Sequence, residues 1–273
     1  MQFPPHMDPR MFMQMQQQSQ EEESPKQNKF IVVILAGGEG KRMGGNLPKV
    51  LIPFHGKPMI LRILETVNQV SPHKIIVITG KSHDLIQRVI QQKFKGNTSI
   101  QCIQQKEALG TGDAVKTALP YIDSDSHVLI LNGDMPCIQI ETITQMVNDS
   151  DDMGFVTTSL QEHYGYGRIL RDPKKKHFIG IREEKDCSEE EKKIQEINVG
   201  IYYFHATVLR SYIPKIKNQN KQNEFYLTDI FEIIRQHEDN EIHIHQVPQD
   251  IQYQCFGINT PEELQRLEQI SPK

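Results

Sequence analysis

The stretch LAGGEGKRMGGNLPKVL, Leu35 to Leu51, places five glycines and three cations (Lys41, Arg42 and Lys49) directly behind an apolar run. That run, Phe30-Ile31-Val32-Val33-Ile34, reads as a buried strand. Glycines after a strand let the backbone approach a phosphate closely. Two common phosphate-binding templates fail here. The dinucleotide fingerprint, counted from Gly38 and Gly40, needs a third glycine where Met43 stands. The ATPase loop needs glycine five residues before Gly40, where Leu35 stands, and Ser or Thr after Lys41, where Arg42 stands. What survives is a loop along which a nucleoside triphosphate lies, with Arg42 and Lys49 reaching its phosphates. Pro48 presets the backbone just ahead of Lys49. A surface turn with solvated cations is the plain alternative, and this loop alone does not decide.

Two further loops do. Gln105-Lys106-Glu107-Ala108-Leu109-Gly110-Thr111-Gly112 is a second glycine-bearing turn between strand-like and helix-like segments. Asn132-Gly133-Asp134 follows the strand-like run His127–Leu131. A carboxylate at the end of a buried strand is costly without a partner, and a hard divalent cation is one such partner. Three such loops at three strand ends point to one shared crevice.

Strand-like runs at Phe30–Leu35, Lys74–Ile78, Ser99–Ile103, His127–Leu131, Met153–Thr158, Asn198–Phe204 and Glu241–His245 alternate with helix-like stretches. The helices are expected at Met59–Val70, His83–Gln92, Gly112–Leu119, Ile140–Val147, Tyr226–Gln236 and Pro261–Gln269. Alternation of this kind implies an α/β protein, its sheet largely parallel and covered on both faces, with ligands at the strand C-terminal ends. Residues 1–28, rich in Gln, Met and Glu, are expected to be a disordered tail, and 29–273 a single domain. A change of pattern near 163–197 marks an inserted, hairpin-like region closing one side of the pocket. At 273 residues the chain can bury a sizeable core. A net charge of -4 argues against nucleic-acid binding. No run is long enough to span a bilayer and no secretory signal opens the chain, so a cytoplasmic protein is expected. Cys102, Cys137, Cys187 and Cys255 form no C-x-x-C pair, which favours buried or idle thiols over a zinc or redox site.

In order and with compatible spacing, LAGGEGKRMGGNLPKVL, QKEALGTGDA, LNGDMP, GYGRI, IREEKD, IQEINVGIY, EFYLTDI and FGIN resemble the N-acetylglucosamine-1-phosphate uridyltransferases, a branch of the sugar-nucleotide pyrophosphorylases. The resemblance covers about Lys29 to Gln269. It implies a Rossmann-like, mixed but mostly parallel central sheet, the nucleotide-diphospho-sugar transferase fold. It also implies the substrates UTP and N-acetylglucosamine 1-phosphate, with Mg²⁺ as cofactor. Carried over residue by residue, Leu35, Ala36, Gly37 and Gly38 meet uracil and ribose, Gln105 reads the uracil edge, and Gly110 and Thr111 close over the nucleoside. Arg42 and Lys49 hold the triphosphate, Asp134 and Asn259 the metal. Asn132, Gly167, Glu183 and Asn198 contact the sugar. Two positions depart from the usual pattern: Gly37 where alanine is common, and Asn132 where tyrosine often stands, which bears on the acetyl contact. No hexapeptide array follows Lys273, so the acetyltransferase half of the bacterial relatives is not expected.

The chemistry explains why no Ser-His or paired-carboxylate signature is needed. The attacking group would be a phosphate oxygen, already largely dianionic at neutral pH. Its approach to a triphosphate is opposed by charge, so catalysis is positioning and neutralisation. From sequence alone, Glu183 in Ile181-Arg182-Glu183-Glu184-Lys185 reads as part of a solvated charged face; only the resemblance gives it a sugar.

Overall fold

Val32, Ile34 and Ala36 on one side of the first strand, and Ile31 and Val33 on the other, are all buried, so this strand lies between two apolar layers. The computed structural model describes residues 30–45, 47–149, 152–237 and 241–272. The tail expected at 1–28 lies outside them. Among the described residues nine strands form the main sheet: β1 (Phe30–Ala36), β4 (Lys74–Thr79), β5 (Ile100–Gln104), β6 (His127–Asn132), β7 (Met153–Ser159), β8 (Arg168–Arg171), β9 (Phe178–Arg182), β10 (Glu196–His205) and β11 (His243–Gln246). A two-strand ribbon, β2 (Pro53–Phe54) with β3 (Lys57–Pro58), stands apart.

The order along the main path is β11-β7-β10-β6-β1-β4-β5, with β8 and β9 joined at β10. Parallel pairing links β1 to β4 and β6, β4 to β5, and β7 to β11. Only β10 runs against both its neighbours in the path. The sheet is therefore mixed and mostly parallel. The chain lays β4 and β5 outward from one edge of β1, then returns to place β6 against the other. Such a reversal opens a crevice above the strand C-termini, here between β1 and β6, where Leu35 pairs with Asn132.

Helices cover both faces. On one side α1 (Met59–Gln69) buries Ile60, Ile63, Leu64 and Val67, joined by α2 (His83–Lys93) and α4 (Ile140–Asp149). On the other, α3 (Thr111–Ala118), α5 (Ala206–Tyr212) and α6 (Asp229–His237) bury Val115, Leu209, Ile230, Phe231 and Ile234. The last helix, α7 (Pro261–Ile270), packs with Phe54, Met59 and Ile258 in a smaller cluster. Seven-residue α5 is too short for its periodicity to stand out in sequence. The helix expected from Tyr226 begins only at Asp229. Tyr226, Leu227 and Thr228 run ahead of it, the Leu227 N–H bonded to Thr111 Oγ1 and the Thr228 hydroxyl to Glu183.

Candidate active site

Three loops meet above the crevice. The Gly133 N–H donates to the Leu35 carbonyl at 2.9 Å, tying the Asp134 turn to the end of β1. Gln105 donates its backbone N–H to the Thr79 carbonyl at 2.8 Å, seating the third loop beside the β4 end. Together they line an open cavity of about 320 Å³ whose walls include Leu35, Gly37, Gly38, Lys49, Gln105, Gly110, Thr111, Asn132 and Asp134. Ala36 is buried beneath this wall and is not part of it. An added Cβ at Gly37 would lie 3.6 Å from both Gln105 Oε1 and the Gly80 nitrogen, an ordinary contact, so space does not force glycine there.

The four residues expected at the triphosphate and metal form one cluster. Lys49 Nζ bonds Asp134 Oδ2 and, at 2.7 Å, Asn259 Oδ1; Arg42 Nη2 reaches the same Asn259 oxygen at 3.1 Å. Asn259 comes from the far end of the chain, and two devices hold it. The Ile258 N–H donates to the Asp134 carbonyl at 3.0 Å, and the Asn259 N–H donates to the Glu263 carboxylate. That carboxylate closes the capping box of α7, with Thr260 as N-cap. Tyr166 adds a third support, its hydroxyl accepting from the Gly257 N–H at 3.2 Å. Burial pushes the Tyr166 phenol up, so it stays neutral.

Sequence reasoning sought a metal as the partner of Asp134; in the structure its partner is the Lys49 ammonium. The oxygens nonetheless suit a hard cation, because Asp134 Oδ2 and Asn259 Oδ1 converge on one positive centre. Among the described residues no group of three or more His, Cys, Asp or Glu side chains could hold a metal. Two protein oxygens match Mg²⁺, which usually takes few protein ligands and completes its shell with water and substrate phosphates.

On the side expected to take the nucleoside, Gln105 donates through Nε2 to Asp113 Oδ2 at 2.7 Å and to the Gly110 carbonyl at 3.2 Å. Gly110 is required by its surroundings: φ is +114°, and a Cβ would fall 2.5 Å from the Phe225 carbonyl oxygen. Where the sugar contacts were expected, Asn132 packs its amide against Gly200, whose φ of +86° and closeness (a Cβ would sit 2.1 Å from Asn132 Nδ2) leave no room for a side chain. Asn198 donates its N–H to the Gly167 carbonyl at 2.9 Å and its side chain to the Tyr202 hydroxyl at 2.8 Å. A Cβ on Gly167 would lie 3.5 Å from Glu183 Oε2, while Glu183 itself lines a separate cavity of about 780 Å³ with Asp186, Tyr226 and Asp229 rather than the 320 Å³ one. Glu184 pairs with buried Arg168 at 2.7 Å and anchors the Glu183 loop to β8. Burial raises the Glu183 carboxyl, and a 2.8 Å bond from the Thr228 hydroxyl opposes that. Asp113, Tyr166, Glu224 and Thr228 lie within the motifs QKEALGTGDA, GYGRI and EFYLTDI, yet sequence reasoning assigned none of them a role. Each is an ordinary polar residue whose role comes from distant partners.

No helix among the described residues is long and apolar enough to cross a membrane. All four thiols are free; burial raises Cys102 and Cys137 to about 11 and Cys255 to about 12, keeping them inert.

A nucleotide-sized crevice at the switch point of a mixed sheet, with two cations and two oxygen donors at its mouth, is the working geometry of a nucleotidyltransferase. The chain belongs to the family of MobA-like NTP transferase domains, whose model matches residues 32–226. It is 40% identical over 249 residues to an Acanthamoeba polyphaga mimivirus protein described as a "Probable UDP-N-acetylglucosamine pyrophosphorylase", covering 89% of this chain and 97% of that one. It is 39% identical over 238 residues to the "Bifunctional protein GlmU" of Xanthomonas oryzae pv. oryzae. That alignment takes in 87% of this chain but only 50% of the bifunctional relative. A solved Bacillus anthracis structure, described as a "Putative Glucose-1-Phosphate Thymidylyltransferase", shares the fold, with a TM-score of 0.67, 20% identity, and 88% and 94% of the two chains covered.

Proposed function

We propose that this chain transfers UMP from UTP to N-acetylglucosamine 1-phosphate, giving UDP-N-acetylglucosamine and pyrophosphate. The observation that carries the reading is the convergence of Arg42, Lys49, Asp134 and Asn259 at the mouth of the cavity. The similarity to the mimivirus protein over nearly its whole length supports the choice of substrates.

In the proposed reaction an oxygen of the sugar phosphate attacks the α-phosphorus of UTP. The bond from that phosphorus to the bridging oxygen of the β-phosphate breaks, and pyrophosphate leaves with the electron pair. No proton need be removed from the nucleophile. Lys49 would leave Asp134 for the phosphates as the nucleotide enters, and Arg42, with its planar fork, would hold two phosphate oxygens at once. Leu35, Gly37 and Gly38 would seat the nucleoside, Ala36 supporting them from below, while Gln105 reads the uracil and Gly110 with Thr111 shape the ribose pocket. Asn132, Gly167, Glu183 and Asn198 would orient the sugar so that its phosphate points along the attack line. Asp134 and Asn259 would hold Mg²⁺, which when bound neutralises phosphate charge that would otherwise repel the nucleophile.

Product analysis tests this directly. With UTP, N-acetylglucosamine 1-phosphate and magnesium, phosphorus NMR and mass spectrometry should show UDP-N-acetylglucosamine and pyrophosphate in equal amounts. Asp134→Ala should abolish their formation without a large change in melting temperature. Undiminished product from Asp134→Ala would remove this carboxylate from the reaction.

A further inference from the structure

One segment, Glu224 to Asp229, touches both halves of the proposed site. Its Phe225 N–H donates to the Leu109 carbonyl and its Phe225 carbonyl accepts from the Gly112 N–H, each at 2.7 Å. The Leu227 N–H donates to Thr111 Oγ1 at 3.0 Å. These bonds clamp the uridine-side loop. One residue further on, Thr228, only 2% exposed, donates its hydroxyl to Glu183 Oε1 on the sugar side. The strap is itself braced by Asn220, whose amide donates to the Glu224 carbonyl at 2.6 Å and accepts from the Glu224 N–H at 3.1 Å.

We infer that Thr228 is a positioning residue: its hydroxyl fixes the Glu183 carboxylate for the sugar and, through the strap it belongs to, locks that carboxylate to the nucleoside loop. The inference deepens the uridyltransferase reading and rests on it. A carboxylate free to rotate would present either oxygen to the sugar; with Oε1 engaged by Thr228, Oε2, on the Gly167 side, is the one left for it. Glu183 sits in an acidic neighbourhood. Asp186 and Glu224 push its carboxyl up and it acts in turn on Tyr202, Tyr226 and Asp229, while Glu232 and Arg182 act on Asp229. The Thr228 hydroxyl is the group that favours its ionised form. Losing that donor moves the Glu183 titration to still higher pH.

The experiment compares the full-length wild type with Thr228→Val and Thr228→Ser. The valine variant should raise the KM for N-acetylglucosamine 1-phosphate about tenfold, the scale of one hydrogen bond to a charged group, while the KM for UTP stays within about twofold. The acid limb of kcat/KM for the sugar phosphate should move to higher pH, and serine should restore most of both properties. In a Glu183→Ala background, Thr228→Val should have no further effect on the sugar KM. Should the valine variant melt far below the wild type, Thr228→Ala takes its place in the same cycle. An unchanged sugar KM in a folded valine variant, equal rises in both KM values, or a serine variant as poor as valine would overturn the inference. An inert wild type would instead overturn the reading beneath it.

Discussion

Lys49 is the residue at which the structure says most about the chemistry. Its ammonium lies between Asp134 and Asn259, bonded to both proposed metal donors. A triphosphate changes the balance by offering Lys49 more negative charge than Asp134 does. If Lys49 then acts mainly on charge that develops during transfer, its loss should fall on kcat more than on KM. Lys49→Ala is expected to lower kcat roughly 10²- to 10³-fold, by analogy with removing one preorganised stabilising group. Steady-state kinetics check this, and an effect confined to the KM for UTP would assign Lys49 to binding alone. The glycine loop was legible because its residues are adjacent in sequence and its spacing defeats the two familiar templates. The Lys49–Asp134 pairing was not, since no local pattern reveals that residues 85 positions apart meet as an ion pair.

At the scale of elements, the start of α6 gathers mainly acidic charge, with Arg182 opposing it. Asp229 opens that helix beside Glu183, Glu232 and Asp186, and its carboxyl is raised from 3.8 to about 6, first by burial and then by Glu183 and Glu232. The sign follows from linkage: a carboxyl that binds its proton more tightly when folded favours the fold fully below about pH 4 and loses that contribution as pH rises through 6. Asp229→Asn should therefore melt higher than the wild type at pH 8, with the gap closing by pH 4. Thermal melts across that range decide it, and a gap that does not change with pH would contradict the linkage. Elements also show where sequence reading stops. Apolar runs located the long strands, but periodicity carries no direction, so the antiparallel course of β10 was invisible. Its bulge between Asn198 and Tyr202, which brings Gly200 against Asn132, was equally hidden.

For the whole molecule, the proposed unit is residues 29–273, with the sugar-side insertion near 163–197 as part of it. Deletion of Met1 to Asn28 should leave specific activity close to that of the full chain. A large loss of turnover would place part of that segment in the working protein. The overall architecture was legible because alternating strand and helix patterns leave few ways to cover a mostly parallel sheet. The central claim is substrate identity, and a pyrophosphate-release assay over four nucleoside triphosphates and several sugar 1-phosphates, with magnesium present, tests it most directly. The account predicts that UTP with N-acetylglucosamine 1-phosphate gives the highest kcat/KM of the whole matrix. Preference for another pair, such as dTTP with glucose 1-phosphate, or an enzyme inert with every pair, would contradict it.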